Sequence, residues 1–421
     1  MLKASICTIG DELLIGQVID TNSATISRAI GTIGVKVTGM VSMPDDTKCI
    51  ISTLQEQLSL NDIVVTTGGL GPTKDDITKP ALATLSGSEG YVLHEGQLSI
   101  VKEILHSRGL DMLDINRAQA LVPDTCEVIL NKRGTAPIMV FRGLGGGNST
   151  LYAMPGVPFE TEAALGDVLS DIKAHYPLDN ILHHNIMTYG IAESALAKMI
   201  APWEESLPKE VHLAYLPDPL KGVRLRLSIY SGTLSNEKEI IDSKIEELKA
   251  ILGDYIYSCD DDTLEGRLGT LLKESGKTIS AAESCTGGEI AHLITTVPGS
   301  SSYFLGSVTS YSISVKEGVL GVKKETIDTY GVVSEEVARE MALGVKKLTG
   351  SDYSIATTGY AGPGGGDAAN PEGTVWVAAA TPDGVFTRKY SYHNDRKRNI
   401  QRFAASALYF MLMQILHPQK P

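Results

Sequence analysis

The chain has 421 residues, 43% of them hydrophobic and 21% charged, with 37 basic against 50 acidic side chains and a formal net charge of −13. A chain of this length and composition is globular and divides into two or three domains. Its acidic balance argues against broad binding to nucleic acid or anionic membranes, which needs clustered Lys and Arg, and no apolar run approaches the ~18–20 residues of a membrane span. The five cysteines, Cys7, Cys49, Cys126, Cys259 and Cys285, are scattered and odd in number. They predict a reducing compartment rather than a disulfide frame or a thiolate zinc site. The start, MLKASICTIGDELL, has no long apolar core and predicts no secretory signal, so a cytoplasmic protein is expected.

Residues 1–172 alternate short β-rich runs with helical patterns. Strands are predicted at 4–9, 35–41 and 62–67 and helices at 21–33 and 49–58, an alternation that suggests a parallel α/β sheet. Two of these strands end in similar chemistry. In CTIGDELLIGQVIDTNSATI the strand stops at Gly10 and is followed by Asp11 and Glu12. In TTGGLGPTKDDITKPALA it stops at Gly68 and Gly69, followed by Gly71, Thr73, Asp75 and Asp76. Glycine backbones let phosphates approach, and a following helix N-terminus favours anions. Carboxylates at strand tips can hold a divalent metal that bridges phosphate oxygens. Helix capping by Asp75 and Asp76 is the alternative, and both readings can hold together. A Gly-rich stretch at 143–148 then leads into MPGVP.

Residues 173–255 read as a small α+β module of order βαββα. Strands are predicted at 185–189, 211–215 and 223–230, with helices at 192–200 and 236–252. Arg224 and Arg226 alternate with Val223, Leu225 and Leu227, the pattern of a half-exposed strand. An RNA-binding KH module needs a GxxG loop with basic flanks. None is present, so RNA binding is not expected.

Residues 256–421 open with acidic CDDD, a linker or cap, and then Leu264, Leu268, Leu271 and Leu272 at helical spacing. Strands are predicted at 277–281, 304–310, 353–357 and 374–380, and a last helix at 396–416. AAESCTGGEI reads as strand, tight turn and helix start, a geometry that exposes the side chain of Ser284. A serine needs a base to become a nucleophile. Between residues 265 and 416 the only histidines are His292 and His393, which leaves no Ser-His-Asp set. A lysine serves if burial or a nearby cation lowers its pKa. Lys316 lies among Val315, Val319 and Leu320, and Arg398 is the candidate cation. The loop in TTGYAGPGGG offers N–H groups to an oxyanion or a phosphate. Together these predict an acyl-transfer hydrolase acting on a small anionic substrate. Cys285 has no histidine placed to make its thiolate and reads as a small buried residue.

AAESCTGG, PGSS, SVTSYSISVKEGVLGV, GVVSE, TTGYAGPGGG and PEGTVWVA occur in that order and resemble the C-terminal domain of the CinA family. The resemblance implies a nicotinamide-nucleotide amidase that converts nicotinamide mononucleotide to nicotinate mononucleotide and ammonia without a cofactor. It implies Ser284 as nucleophile and Lys316 as base, with Tyr311 and Thr358 beside them. Arg398 and Ser301 become substrate contacts, and backbone N–H groups near Thr286 and Gly287 the oxyanion hole. Gly362, Gly364 and Gly365 hold either the oxyanion or the phosphate. The chain departs from the family's Tyr-Ser/Thr-Asn-Glu-Ala-Lys by reading Tyr311-Ser-Ile-Ser-Val-Lys316, which keeps the spacing and removes the Asn and Glu.

The N-terminal motifs, with NKRGTAP and MPGVPFE, resemble the molybdopterin-binding fold of MoaB- and MogA-like proteins. In CinA-family chains this implies an ADP-ribose pyrophosphatase that makes AMP and ribose 5-phosphate with a divalent metal. Asp11, Glu12, Asn22, Asp45, Asp75 and Asp76 are then its metal-site residues, and Gly68, Gly69, Gly71 and Thr73 contact substrate. The architecture implied is a three-layer α/β domain (1–172), a KH-like α+β module that YGIAESALA opens (173–255) and a C-terminal α/β amidase domain (256–421), in a homodimer. Two rivals are a molybdopterin-cofactor protein and a non-catalytic adaptor in competence or DNA repair. The acidic balance weighs against the second.

Overall fold

The structure is a computed structural model that describes residues 2–73, 76–178, 181–230 and 236–418. Two compact units divide at Leu182 and His183. No helix among the described residues is long and apolar enough to cross a membrane.

In the first unit, β1 (Lys3–Ile9), β2 (Lys36–Met43) and β3 (Ile63–Thr67) run parallel. The buried runs of β1 and β3 belong to strands covered on both faces. A two-stranded ribbon pairs β4 (Tyr91–Leu93) with β5 (Leu121–Pro123). β6 (Glu127–Ile129), β7 (Ile138–Leu144) and β8 (Ser149–Met154) complete a six-stranded sheet ordered β2-β1-β3-β8-β7-β6. Ile6, Val65 and Tyr152 face the helices Asn22–Gly31 and Pro158–His175, and Cys7, Val64 and Leu151 face Thr47–Leu60 and Thr78–Ser86. These are the three layers expected.

The parallel α/β sheet expected here carries an antiparallel edge. β8 is antiparallel to β7, and β7 to β6. The cause is the turn through Gly145, Gly146 and Gly147, whose φ values of 58°, 88° and 103° return the chain at once. A parallel neighbour needs a crossover of a dozen or more residues.

In the second unit, the middle module has β9 (Ile181–Thr188), β10 (Val211–Asp218), β11 (Gly222–Tyr230) and β12 (Ile256–Ser258) in the order β10-β11-β9-β12. The sheet therefore takes in residues beyond the expected edge at 255, because Ile256 pairs with Thr188. The module's first helix, Glu193–Glu205, continues through Pro202 past its expected end at 200. Trp203 carries it on, buried and donating its indole N–H to the Lys244 carbonyl.

The C-terminal sheet is β13 (Ile279–Glu283), β14 (Phe304–Thr309), β15 (Tyr353–Gly359), β16 (Thr374–Ala380) and β17 (Val385–Ser391), ordered β14-β13-β15-β16-β17. β14, β13 and β15 are parallel and the remaining pairs antiparallel. Ala282, Ala356, Ala378 and Ala380 give one face a floor of small residues, covered by helix Glu335–Thr349. The other face lies against helices Leu264–Ser275 and Arg396–Leu416. In the latter helix 12 of 21 residues are buried. Its Phe403, Leu408 and Leu412 share one core with Met187, Tyr189 and Tyr257 of the middle module. The parallel register brings Glu283, Thr309 and Thr357 level. The loops leaving β13, β14 and β15 therefore meet at the carboxyl edge, the usual place for a ligand site in such sheets.

Gly344 of helix Glu335–Thr349 sits under the Leu320 carbonyl, and a Cβ there would run into that oxygen. Gly344→Ala, which stabilises an open helix site by about 1 kcal/mol, is expected here to destabilise by about 1–3 kcal/mol through overpacking. Urea unfolding monitored by circular dichroism gives the sign.

Candidate active site

Ser284 follows β13 directly. Its backbone N–H donates to the Thr357 carbonyl at 3.1 Å, and the chain then turns through Gly287 and Gly288, with φ of 65° and 108°, into helix Glu289–Thr296. The preceding Glu283 is fully buried. Its carboxylate accepts N–H groups from Gly288 at 3.0 Å, Ile290 at 3.1 Å and Ala291 at 2.9 Å. An internal anion thus satisfies the helix N-terminus.

Lys316 arrives from the next strand. After β14, Ser310 donates its N–H to the Glu283 carbonyl at 2.7 Å. Ser312 then caps the short helix Ile313–Gly318, which carries Lys316. The Lys316 Nζ lies 2.9 Å from Ser284 Oγ and 2.5 Å from the Ser310 carbonyl oxygen. The side chain is only 1% exposed. Among the described residues no carboxylate pairs with it. Burial lowers its pKa from 10.5 to about 8, with Cys285 acting weakly the other way. Arg398 has no part in this shift.

The cleft at these residues has a volume of about 210 Å³. Of the expected residues, Ser284, Tyr311, Lys316, Thr358, Gly362 and Gly364 line it. Thr358 is buried and donates its hydroxyl to the Val332 carbonyl at 2.8 Å, which fixes that wall. Tyr311 is exposed.

Four expectations are corrected. Arg398 is exposed on the first turn of the last helix and is not in the wall; Arg396 is. The Arg396 guanidinium donates to the Gly362 carbonyl at 2.6 Å and to the Tyr311 hydroxyl at 2.9 Å. Residues two apart in a helix point to nearly opposite sides, so only one of the two arginines can face the cleft. Ser301 lies in the turn Ser300–Ser302 before β14. Because Phe304 pairs with Ile279 at the start of β13, Ser301 is at the opposite edge of the sheet from Ser284, a strand length away. The Gly287 N–H is already taken by the Ser284 carbonyl at 3.2 Å, whereas those of Cys285 and Thr286 have no protein acceptor among the described residues. Gly365 packs near the Tyr360 ring outside the lining. Sequence reasoning missed Glu283, Ser310 and Arg396. For Glu283 a signal existed, a lone acid in an apolar strand just before a Gly-Gly helix start.

Cys285 is buried and its thiol is pushed up to about 12 by burial. Its sulfur fills the space beside Gly359, where an added Cβ would stand 3.1 Å from it. It is a packing residue.

In the first unit, Glu12, Asn22, Gly68 and Gly69 line a second cleft of about 180 Å³, together with Asp20 and Thr67. The Asn22 amide donates to Thr67 Oγ1 at 3.1 Å and to the Gly156 carbonyl at 2.8 Å. Asp11, Asp45, Gly71, Thr73 and Asp76 do not line this cleft. Asp45 accepts the Asp11 N–H at 3.1 Å. The Asp76 carboxylate accepts from Gly71 N at 2.8 Å and from Thr73 N and Oγ1 at 2.9 and 2.5 Å, so it folds its own loop. Helix Thr78–Ser86 has Ile77 as its N-cap, so Asp76 does not cap it either. Asp75 lies outside the described residues. Among the described residues no three His, Cys, Asp or Glu side chains gather as a cation site. Gly68 and Gly69 are also demanded by packing, since a Cβ would meet the Ile9 carbonyl or the Thr78 hydroxyl.

Three family models match successive segments of the chain. Residues 5–175 match a probable molybdopterin binding domain, 183–258 the damage-inducible protein CinA KH domain and 261–415 the CinA C-terminal domain. A CinA-like protein of Flavobacterium psychrophilum is 44% identical over 421 residues, covering 99% of both chains. The chain belongs to the CinA family. A second CinA-like protein, from Cytophaga hutchinsonii, is 41% identical and covers 98% of each chain. Among solved structures, competence damage-inducible protein A of Klebsiella pneumoniae is 31% identical, covering 37% of this chain and 97% of that one with a TM-score of 0.36. A competence/damage-inducible protein of Agrobacterium tumefaciens is 35% identical, covering 37% and 94%, with a TM-score of 0.36. The site residues Ser284, Lys316 and Arg396 all lie within the segment matched to the CinA C-terminal domain.

Two outcomes test this geometry. Alkylation of the native protein at pH 8 should leave Cys285 unmodified by mass spectrometry while the half-buried Cys49 reacts, because a thiol near 12 has almost no thiolate there. Glu283→Ala should lower stability by about 3 kcal/mol in chemical denaturation, because three N–H groups, that of Ile290 fully buried, lose a charged acceptor.

Proposed function

We propose that the C-terminal domain hydrolyses a carboxamide by acyl transfer, with nicotinamide mononucleotide as substrate and nicotinate mononucleotide and ammonia as products. The observation that carries this reading is the Ser284 hydroxyl 2.9 Å from a buried amine that no carboxylate among the described residues neutralises. In its neutral form Lys316 keeps one N–H on the Ser310 carbonyl and turns its lone pair to the Ser284 hydroxyl. Ser284 Oγ attacks the amide carbon as its proton passes to Nζ. The tetrahedral oxyanion is held by the N–H groups of Cys285 and Thr286. Lys316 gives its proton to the departing nitrogen, and ammonia leaves an acyl-serine. Water then adds, its proton going to Nζ, and collapse returns the proton to Ser284 and frees the carboxylic acid.

A cleft of about 210 Å³ is smaller than most drug-sized ligand sites. It suits the pyridine carboxamide, with ribose and phosphate extending to the mouth where Arg396 and Tyr311 are exposed.

Ammonia release from nicotinamide mononucleotide should be seen with wild type, vanish in Ser284→Ala and Lys316→Ala, and persist in Cys285→Ala. No release by wild type, or loss in Cys285→Ala as severe as in Ser284→Ala, would overturn the assignment. The base must be neutral, so kcat/KM should rise with pH and level off above about 8.

The same burial has a stability cost. Lowering from 10.5 to about 8 corresponds to roughly 3 kcal/mol against the charged form. Below pH 8 both folded and unfolded states hold the proton and the whole penalty applies. Between 8 and 10.5 the unfolded state binds more protons, so stability rises with pH. Lys316→Met should therefore be inactive yet more stable than wild type at pH 7, and the gain should fade toward pH 10. Thermal unfolding at the two pH values reads it.

For the first unit the reading is narrower: a nucleotide pyrophosphate, expected to be ADP-ribose, binds the cleft of Gly68, Gly69 and Asn22. The cleft's lining favours it. AMP formation from ADP-ribose with added divalent ion should fall at least tenfold in Asn22→Ala, and absence of AMP with wild type rejects the reading.

A further inference from the structure

Two cavities in the second unit lie between the middle module and the C-terminal domain, away from Ser284. One, of about 490 Å³, is walled by Tyr189, Glu193, Asp218, Tyr392 and Arg402 among others. The adjoining one, of about 770 Å³, is walled by Tyr189, Arg388, Tyr390, Tyr392 and Tyr409 among others. Tyr189, Gly190 and Tyr392 belong to both. Each is larger than the catalytic cleft and within the range of small-molecule sites.

The walls carry a consistent chemistry. Tyr390 and Tyr392 are nearly parallel, with centroids 6.3 Å apart and an interplanar angle of 12°. The Arg402 guanidinium lies 4.4 Å from the Tyr392 centroid, and that of Arg388 5.5 Å from the Tyr390 centroid. Neither arginine has a carboxylate partner among the described residues. The Arg402 Nε is buried with no hydrogen-bond acceptor among the described residues. A buried donor of this kind costs about 1–3 kcal/mol while it is unmet. Two guanidinium forks fixed by stacking are preorganised for a phosphate, which each can hold through two parallel N–H groups. The cavities have room for far more than a free anion, and tyrosine and guanidinium planes offer stacking surfaces to a flat ring. Glu193 is exposed at the rim without an ion-pair partner among the described residues, a carboxylate suited to ribose hydroxyls.

We propose that this seam is a second ligand site, one that takes a nucleoside monophosphate: phosphate on the Arg402 guanidinium, ribose toward Glu193 and base against Tyr189 and Tyr392, which wall the same cavity, with Arg388 adding positive charge from the wall of the adjoining one. The site is independent of the amidase reading. It uses none of the residues around Ser284.

The test is calorimetric titration of the full chain with AMP, inorganic phosphate and adenosine. Wild type should bind AMP at a site that Arg396→Ala and Asn22→Ala retain. Arg388→Ala/Arg402→Ala should lose that site or weaken it at least tenfold. Arg402→Lys keeps the charge without the planar fork and should weaken it several-fold, which guards against a double variant that fails to fold. Inorganic phosphate and adenosine should each bind at least tenfold more weakly than AMP. The proposal is overturned by absence of AMP binding up to millimolar concentration, by a site lost in Arg396→Ala or Asn22→Ala, or by unchanged AMP affinity in either arginine variant. Phosphate binding as tightly as AMP leaves only an anion site, and adenosine doing so only an aromatic pocket. Either result also overturns it.

Discussion

Glu283 is the residue on which the catalytic geometry depends. Its side chain closes the N-terminus of helix Glu289–Thr296 from inside the sheet. Its carbonyl meanwhile takes the N–H of Ser310 from the neighbouring strand. The first interaction sets the turn that presents Ser284, and the second places the carbonyl that orients Lys316. One buried acid thus fixes nucleophile and base to the same backbone frame. A carboxylate buried without those partners would be prohibitively costly, so the Gly-Gly turn that aims N–H groups at it is as necessary as the acid itself.

The electrostatics around the pair follow from the same arrangement. Glu283 immediately precedes the nucleophile, yet its oxygens are spent on amides rather than on the amine. Lys316 is left with neutral neighbours, Ser284 and the Ser310 carbonyl. Had the acid faced the amine, an ion pair would have held the proton in place and removed the base. The helix N-terminus, already met by an anion, contributes less to a developing oxyanion than an open one would.

Much of this was legible in the sequence. The strand ending before Ser284, a lysine shortly beyond the following strand, and the last helix at 396–416 follow from apolar periodicity and from the want of a histidine triad, whereas the short helix that carries Lys316 does not. What was not legible depended on three-dimensional phase. Arg396 and Arg398 are equivalent as letters, and only helix rotation separates them. Ser301 and Ser284 look like neighbours along the chain, but a parallel register sends them to opposite edges. Asp76 reads as a ligand or cap until its loop is seen to close on its own carboxylate. The antiparallel edge of the first sheet was present as a Gly-rich run, whose turn was not recognised as a hairpin. The short β12 was hidden beside the acidic stretch that follows it.

The helix Arg396–Leu416 belongs to two cores at once. It lies against the C-terminal sheet, and the same hydrophobic cluster holds Tyr189 and Tyr257 of the middle module, with the Tyr189 and Tyr409 rings 4.7 Å apart. What the sequence separates as two modules is therefore joined in one compact unit. In this chain the middle module completes the packing of the helix whose first turn carries Arg396, so an aromatic side chain lost at Tyr189 or Tyr257 would loosen a wall of the Ser284 cleft from outside its domain.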